Sequence, residues 1–227
     1  MKTHYIRLKE IETYLQEINS CTMQKIHIDT LRYNFDRRYK LEALREVGEW
    51  IKVSKNTPLY KKLKKRVSDA EIKTAYTLKE HNSIYYYNLT RGTYRDRSVL
   101  VIYGLKQYHK EAPPREVITS IDKILKRVDE VDICIDTEAA PQMQHIKRIH
   151  PPKKIDRGRG VTYYFNNLHN ERVDRIVIYD KAQKNGLGGT LWRFEATVAP
   201  SKMPNYKELL PISAIQSYFD AIFTGEV

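Results

Sequence analysis

Cysteine is nearly absent: Cys21 and Cys134 are the only two in 227 residues. Neither lies in a C-x-x-C pair or a histidine-rich stretch, so no zinc module is indicated, and both are expected to be small buried hydrophobes. Long apolar runs are also missing. No stretch approaches the roughly 20 apolar residues of a spanning helix, and the opening Met1-Lys2-Thr3-His4-Tyr5-Ile6-Arg7 has no signal-peptide core. A cytoplasmic chain with no membrane partner is expected. Gly186, Gly188 and Gly189 share one turn, but neither the G-x-x-x-x-G-K-[ST] nor the G-x-G-x-x-G spacing is present, which leaves a hairpin rather than a phosphate-cradling loop. No His-apolar-His pair occurs. His145 and His150, five apart, would fall on different sides of a helix and read as surface or loop residues.

Acidic residues are in deficit, 28 against 40 lysines and arginines, for a net charge of +12. A Lys-rich surface can be merely solvated, but such a surplus favours a polyanionic partner because each neutralised phosphate releases counterions. The 17 tyrosines add aromatic faces, which suit unpaired bases when they stand among cations.

Apolar spacing at Leu8, Ile11, Leu15 and Ile18 predicts a helix over about 4–18, ended by Asn19-Ser20. Ile26 to Phe35 reads as a strand, and Leu41 to Ile51 as a second helix. The run Lys61-Lys62-Leu63-Lys64-Lys65-Arg66 is either a solvated helix face or a phosphate-contacting one. From Ile84 short strands begin, with a turn at Arg91-Gly92-Thr93. Pro113-Pro114 opens a helix carrying Val117, Ile118, Ile121, Ile124, Leu125 and Val128 toward a sheet. Pro141 to Gly160 is expected to be a long loop whose Lys153, Lys154, Arg157 and Arg159, joined by Arg175 on a later strand, can lie along DNA phosphates. Strands follow at about 161–165, 175–181 and 191–198, then helices divided by Pro211. The sum is an α+β fold with a central, largely antiparallel sheet and helices packed on one face. Residues 1–80 form an N-terminal helix and strand segment that can belong to the same domain, 81–200 the catalytic sheet domain, and 201–227 a C-terminal helical segment.

Strand parity locates the chemistry, because alternate side chains face opposite sides of a sheet. Val131, Ile133 and Ile135 face one way, leaving Asp132, Cys134 and Asp136 on the other. Ile176 and Ile178 likewise oppose Arg175, Val177, Tyr179 and Lys181, and Trp192, Phe194, Ala196 and Val198 oppose Arg193, Glu195 and Thr197. If helices cover the apolar face, Asp132, Asp136, Glu195, Tyr179, Arg193 and Lys181 gather on the other. Carboxylates so grouped suit a hard divalent cation, and a neighbouring tyrosine can attack phosphorus. A solvated face of weak ion pairs would give the same pattern.

The segments Val131-Asp132-Ile133-Cys134-Ile135-Asp136, Val177-Ile178-Tyr179-Asp180-Lys181 and Leu191-Trp192-Arg193-Phe194-Glu195 resemble, in order and spacing, the replication initiators of staphylococcal-type rolling-circle plasmids. Conjugative-element relaxases and filamentous-phage initiators are related to these. The similarity runs from about Ser83 to Val198. Two departures stand out: Glu130 replaces an arginine, and the strand near Val101 lacks an acidic residue often found there. The resemblance implies that Tyr179 is the nicking nucleophile, with Tyr163 and Tyr164 as neighbouring candidates. It implies that Asp132, Asp136 and Glu195 hold Mg²⁺ or Mn²⁺, and that Lys181 and Arg193 stabilise phosphate charge. The implied activity is cleavage of single-stranded or hairpin origin DNA through a 5′-phosphotyrosine link, starting rolling-circle replication. Origin DNA is the implied partner, and the resemblance also allows a homodimer and a host helicase. The alternative is a non-catalytic DNA- or RNA-binding regulator.

Overall fold

The structure, a computed structural model, describes residues 6–67, 71–89, 97–108, 110–142, 144, 152–156, 160–166, 168, 172–200 and 208–225, without the side chains of 36–39 and 66. In chain order the elements are α1 (Leu8–Cys21), β1 (Ile26–Asp36), α2 (Arg37–Arg45), β2 (Trp50–Lys52), α3 (Pro58–Arg66), β3 (Ile72–Leu78), β4 (His81–Leu89), β5 (Arg97–Tyr103), α4 (Arg115–Leu125), β6 (Glu130–Thr137), β7 (Lys153–Asp156), β8 (Val161–Asn166), β9 (Arg175–Asp180), α5 (Lys181–Asn185), β10 (Trp192–Val198) and α6 (Ile212–Phe223). The strands form one ten-stranded sheet in the order β2-β3-β4-β5-β1-β6-β10-β9-β8-β7. Every pairing is antiparallel, so the α+β reading holds. Residues 26–36 supply a central strand, between β5 and β6, rather than an appendage to the sheet.

The alternating apolar residues of the central strands build the main core. Leu31, Tyr33, Leu100, Ile102, Val131, Ile133, Ile135, Ile176, Ile178, Phe194 and Ala196 meet Ile11 and Leu15 of α1, Ile118 and Ile121 of α4, and Ile215, Phe219 and Ile222 of α6. Phe194 is fully buried and meets Phe219 edge-to-face with ring centroids 5.8 Å apart. One helix departs from this layer. Leu63 of α3 packs with Val53, Ile72, Ala75, Tyr85, Tyr87, Val99 and Val101 in a second core, which lies on the opposite face because those strand residues alternate with the main-core ones.

Several elements differ from the sequence expectation. Helix α1 runs through Asn19-Ser20 to Cys21, and Cys21 is exposed whereas Cys134 is buried. The expected helix over Leu41–Ile51 stops at Arg45, and Trp50–Lys52 pairs instead with β3 as an edge strand. The Trp50 indole donates at 2.8 Å to the Leu44 carbonyl at the helix end, which also accepts from the Val47 amide at 3.2 Å. The loop expected over 141–160 contains β7, so Lys153 and Lys154 are edge-strand residues paired with Tyr164 and Tyr163. Arg91, Gly92, Thr93, His145, His150, Arg157 and Arg159 lie outside the described residues.

Truncating a fully buried aromatic leaves a cavity the surroundings fill only in part. Phe194→Ala should cost about 3–5 kcal/mol, read as a lowered urea midpoint with an unchanged slope.

Candidate active site

The face opposite the main core gathers the polar side chains of β6, β9 and β10. Cross-strand register places Asp136, Arg193, Tyr179 and Thr162 in one row across β6, β10, β9 and β8, and Cys134, Glu195, Val177 and Tyr164 in the next. A third row holds Thr30, Asp132, Thr197 and Arg175. Directly opposed residues share a face, so parity brought Asp132, Asp136, Glu195, Arg193 and Tyr179 to one surface as expected.

Tyr179 stands one residue before the end of β9, where Asp180 turns the chain into a helix by accepting a hydrogen bond from the Gln183 amide at 2.8 Å. Gly186 closes that helix in the left-handed region at φ 67°, a conformation glycine adopts without strain. The expected strand over 175–181 therefore ends at Asp180, and Lys181 opens α5. The short helix also sets the exposed Lys184 over the phenol, its Nζ 3.6 Å from the Tyr179 ring centroid.

The Tyr179 hydroxyl donates to Glu195 Oε1 at 2.5 Å. Burial, then the Asp29 and Asp132 charges, push the Glu195 carboxyl up to about 7. Burial and the Glu195 charge raise the Tyr179 phenol well above its ordinary value. The two groups thus share one proton in a desolvated setting, the phenol as donor and the carboxylate as acceptor.

Arg193 ties the site together. Its Nε and Nη2 donate to Asp136 at 2.6 and 2.5 Å, and its Nη1 to Asp29 Oδ1 at 2.6 Å and the Lys106 carbonyl at 3.1 Å. Burial opposes ionisation of Asp136, but the Arg193 hydrogen bonds and charge outweigh it and hold that carboxyl below its ordinary value. Tyr108 donates a further bond to Asp136 at 2.9 Å. Lys181 Nζ donates to the same Lys106 carbonyl at 3.0 Å, and burial followed by the Arg193 charge lowers its pKa. Arg193 and Lys181 are only 1% and 2% exposed, so neither presents a free cation to a phosphate in this geometry. Both instead position the carboxylates and the 105–108 segment.

Asp132 is committed elsewhere. Arg32 grips it with two hydrogen bonds of 3.0 and 2.9 Å, and Thr197 adds one at 2.7 Å. Arg32 also pairs with Glu130 at 2.6 Å. Among the described residues no three His, Cys, Asp or Glu side chains converge to hold a metal ion. The triad Asp132, Asp136 and Glu195 thus shares a face without sharing a point, because arginines neutralise two of its members. Asp29 is likewise paired with Arg193, at 2.6 Å, which leaves Glu195 as the acid of this group without a close guanidinium.

Asp29 was not legible from parity because the β1–β6 register shifts between Ile28 and Thr30, a bulge that re-aims its side chain. Its carbonyl accepts from the Gly104 and Leu105 amides, both at 2.9 Å. Gly104 has φ +74°, a left-handed conformation that favours glycine. Tyr108 and Lys184 carried no periodic signal. Of the other tyrosines, Tyr163 packs in the main core, whereas Tyr164 shares the Tyr179 face. Lys153 is exposed on that face as well, opposite Tyr164, and the exposed Lys154 points the other way with Tyr163. Arg175 is half-buried and donates to Thr197 at 3.2 Å.

No family model and no curated protein matches the chain. The fold is similar to that of the rolling circle replication initiator protein from Geobacillus stearothermophilus, with a TM-score of 0.50, 13% sequence identity, and coverage of 88% of this chain and 85% of that one. At that identity the likeness shows a shared fold. No helix among the described residues is long and apolar enough to cross a membrane.

A carboxyl with a raised folded-state pKa holds its proton more tightly when folded. Its contribution is therefore present below the ordinary value of 4.5 and lost as pH rises through about 7. Glu195→Gln abolishes this titration. In chelator, the gap in urea-measured stability between variant and wild type should widen in the variant's favour by about 3 kcal/mol across that window. A constant gap would contradict the raised value.

Proposed function

We propose that this chain is a DNA-nicking and strand-transfer protein of the rolling-circle initiator type, with Tyr179 as its nucleophile. The hydrogen bond from the Tyr179 phenol to Glu195 carries the reading, because a tyrosine becomes a useful nucleophile only beside a group that takes its proton. The fold likeness, the net charge and the polar face on one side of the sheet support it.

In the proposed step the Tyr179 oxygen attacks the scissile phosphorus. The Oη–P bond forms, the bond from phosphorus to the 3′ oxygen breaks, and the phenolic proton passes to Glu195. The 3′ oxygen leaves as a free hydroxyl by taking a proton from solvent water, to which Glu195 later returns its own, and the 5′ phosphate stays linked to the tyrosine. Reversal of the same transfer, with a 3′ hydroxyl as attacker, rejoins a strand. Lys184, over the ring, is the cation placed to meet the phosphate, while Arg193 keeps Asp136 ionised and fixes Asp29 beside the reacting groups. Mg²⁺ or Mn²⁺, when bound, would be held at Glu195 and would polarise the phosphate. The substrate is unpaired DNA, single-stranded or at the tip of a hairpin origin, since a shallow sheet reaches a phosphate more readily outside a duplex. Initiation of rolling-circle replication in the cytoplasm, a homodimer and a host helicase belong to the same reading.

Incubation with labelled single-stranded or hairpin origin DNA and Mn²⁺, followed by a denaturing gel, should give a shortened strand and a protein-linked product. Tyr179→Phe should abolish both while binding stays within about twofold, and Glu195→Gln should slow cleavage by roughly 10²–10⁴, the range of a general base. Tyr164→Phe should cleave normally. Cleavage by Tyr179→Phe would remove this nucleophile. No product from the wild-type protein on its true origin would favour a non-catalytic nucleic-acid-binding regulator.

A further inference from the structure

The segment Trp50–Val67 contains no aspartate or glutamate and seven basic residues: Lys52, Lys55, Lys61, Lys62, Lys64, Lys65 and Arg66. Within α3, Leu63 is buried in the second core and Leu59, Tyr60 and Val67 pack against it. That fixes the helix's rotation, and Lys61, Lys62, Lys64 and Lys65 are all exposed. Lys61 and Lys65 stand one turn apart on the side opposite the packed residues, where like charges repel and weaken a helix. Thr57 caps the helix, its side chain accepting from the Tyr60 amide at 3.2 Å. The Tyr60 hydroxyl is tied to the Ile72 carbonyl at 3.2 Å.

Register places this helix relative to the nucleophile. The footing of α3 includes Val101, with Tyr103 packed at its edge. Val101 is opposite Arg32 and Tyr103 opposite Thr30. Those two are in turn opposite Glu130 and Asp132, and Asp132 is opposite Thr197. One continuous face thus runs from beneath α3 to Glu195 and Tyr179, and α3 rises from it as a basic wall.

We infer that α3 is the docking surface for the double-stranded arm of a nucleic acid whose unpaired part reaches Tyr179; this rests on the nicking reading above. Unpaired bases call for aromatic platforms between the cations. The outward face of α3 offers none, because Tyr60 is turned down onto the sheet. A row of ammonium groups with no aromatic or amide side chain reads phosphates alone, which suits a duplex backbone and carries no base specificity.

The measurement is equilibrium binding of the full chain to a labelled hairpin DNA with a one-turn stem, by fluorescence anisotropy across a salt series, without divalent cations. The variant is Lys61→Gln/Lys64→Gln/Lys65→Gln, and a charge-matched control replaces the exposed Lys9, Lys123 and Lys126 of the opposite layer with glutamine. Expected for the α3 variant are an affinity lower by roughly 10-fold or more at low salt and a log–log salt slope shallower by about 2–3, at about 0.9 for each phosphate no longer neutralised. The control should change both by less than half as much. Lys61→Gln/Lys65→Gln, which alters only the two outermost positions, should show the same trend in binding. Melting of Lys61→Gln/Lys65→Gln should occur at or above the wild-type temperature, since like charges one turn apart are removed. Equal effects from the two triple variants would mean that net charge alone is felt, and no effect from the α3 variant would mean that the stem binds elsewhere; either overturns the inference. Stem binding through α3 with no tyrosine-linked product on any DNA would leave it standing and overturn the nicking reading.

Discussion

The guanidinium of Arg193 is the constraint around which the site is arranged. It is 1% exposed and spans Asp136 on β6, Asp29 on β1 and the Lys106 carbonyl after β5. Three neighbouring strands and one loop are therefore held by a single charge. A buried arginine is tolerated only when its donors are met, and removing one partner of such a pair typically costs about 3–5 kcal/mol because the other is left uncompensated. The same requirement fixes the side-chain directions of Asp136 and Asp29 and brings Tyr108 and Lys181 alongside.

From this follows the division of labour among the acids. Asp132 and Asp136 are ion-paired with arginine and held below the ordinary carboxylate range. Glu195 lacks so close a cation: Arg193 Nη1 is 4.0 Å from it. Burial then dominates, and Glu195 retains affinity for a proton. Among Asp132, Asp136 and Glu195, two thus act as fixed charge and one can exchange a proton with the tyrosine across from it. The two sides of the sheet are similarly divided. The helices α1, α4 and α6 bury one face, and on the other α3 covers the β3–β5 half while the β6–β9 half keeps its polar side chains.

Much of the site was legible from period-two alternation. Asp132, Asp136, Tyr179, Arg193 and Glu195 lie on regular strands, and parity survives wherever pairing is unbroken. The misses occur where regularity breaks. Asp29 sits at the bulge, Tyr108 in an aperiodic segment, and Lys184 in a five-residue helix that begins inside the expected strand. The helix expected at Leu41–Ile51 shows the same limit, since a helical apolar spacing persisted into Ile51 although that residue pairs in a sheet and is 42% exposed.

The amino-acid sequence by itself determined the class of fold, the identity of the polar face and the surplus of positive charge, because these depend on local periodicity and composition. Tertiary structure decided which of those polar residues meet. Whether an acid is a neutralised anchor or a proton acceptor depends on the balance between its burial and the guanidiniums that reach it from other strands. Arg32 reaches Asp132 across 100 residues of chain, and Arg193 reaches Asp29 across 164. No local pattern records such separations; they exist only once β1 has inserted between β5 and β6.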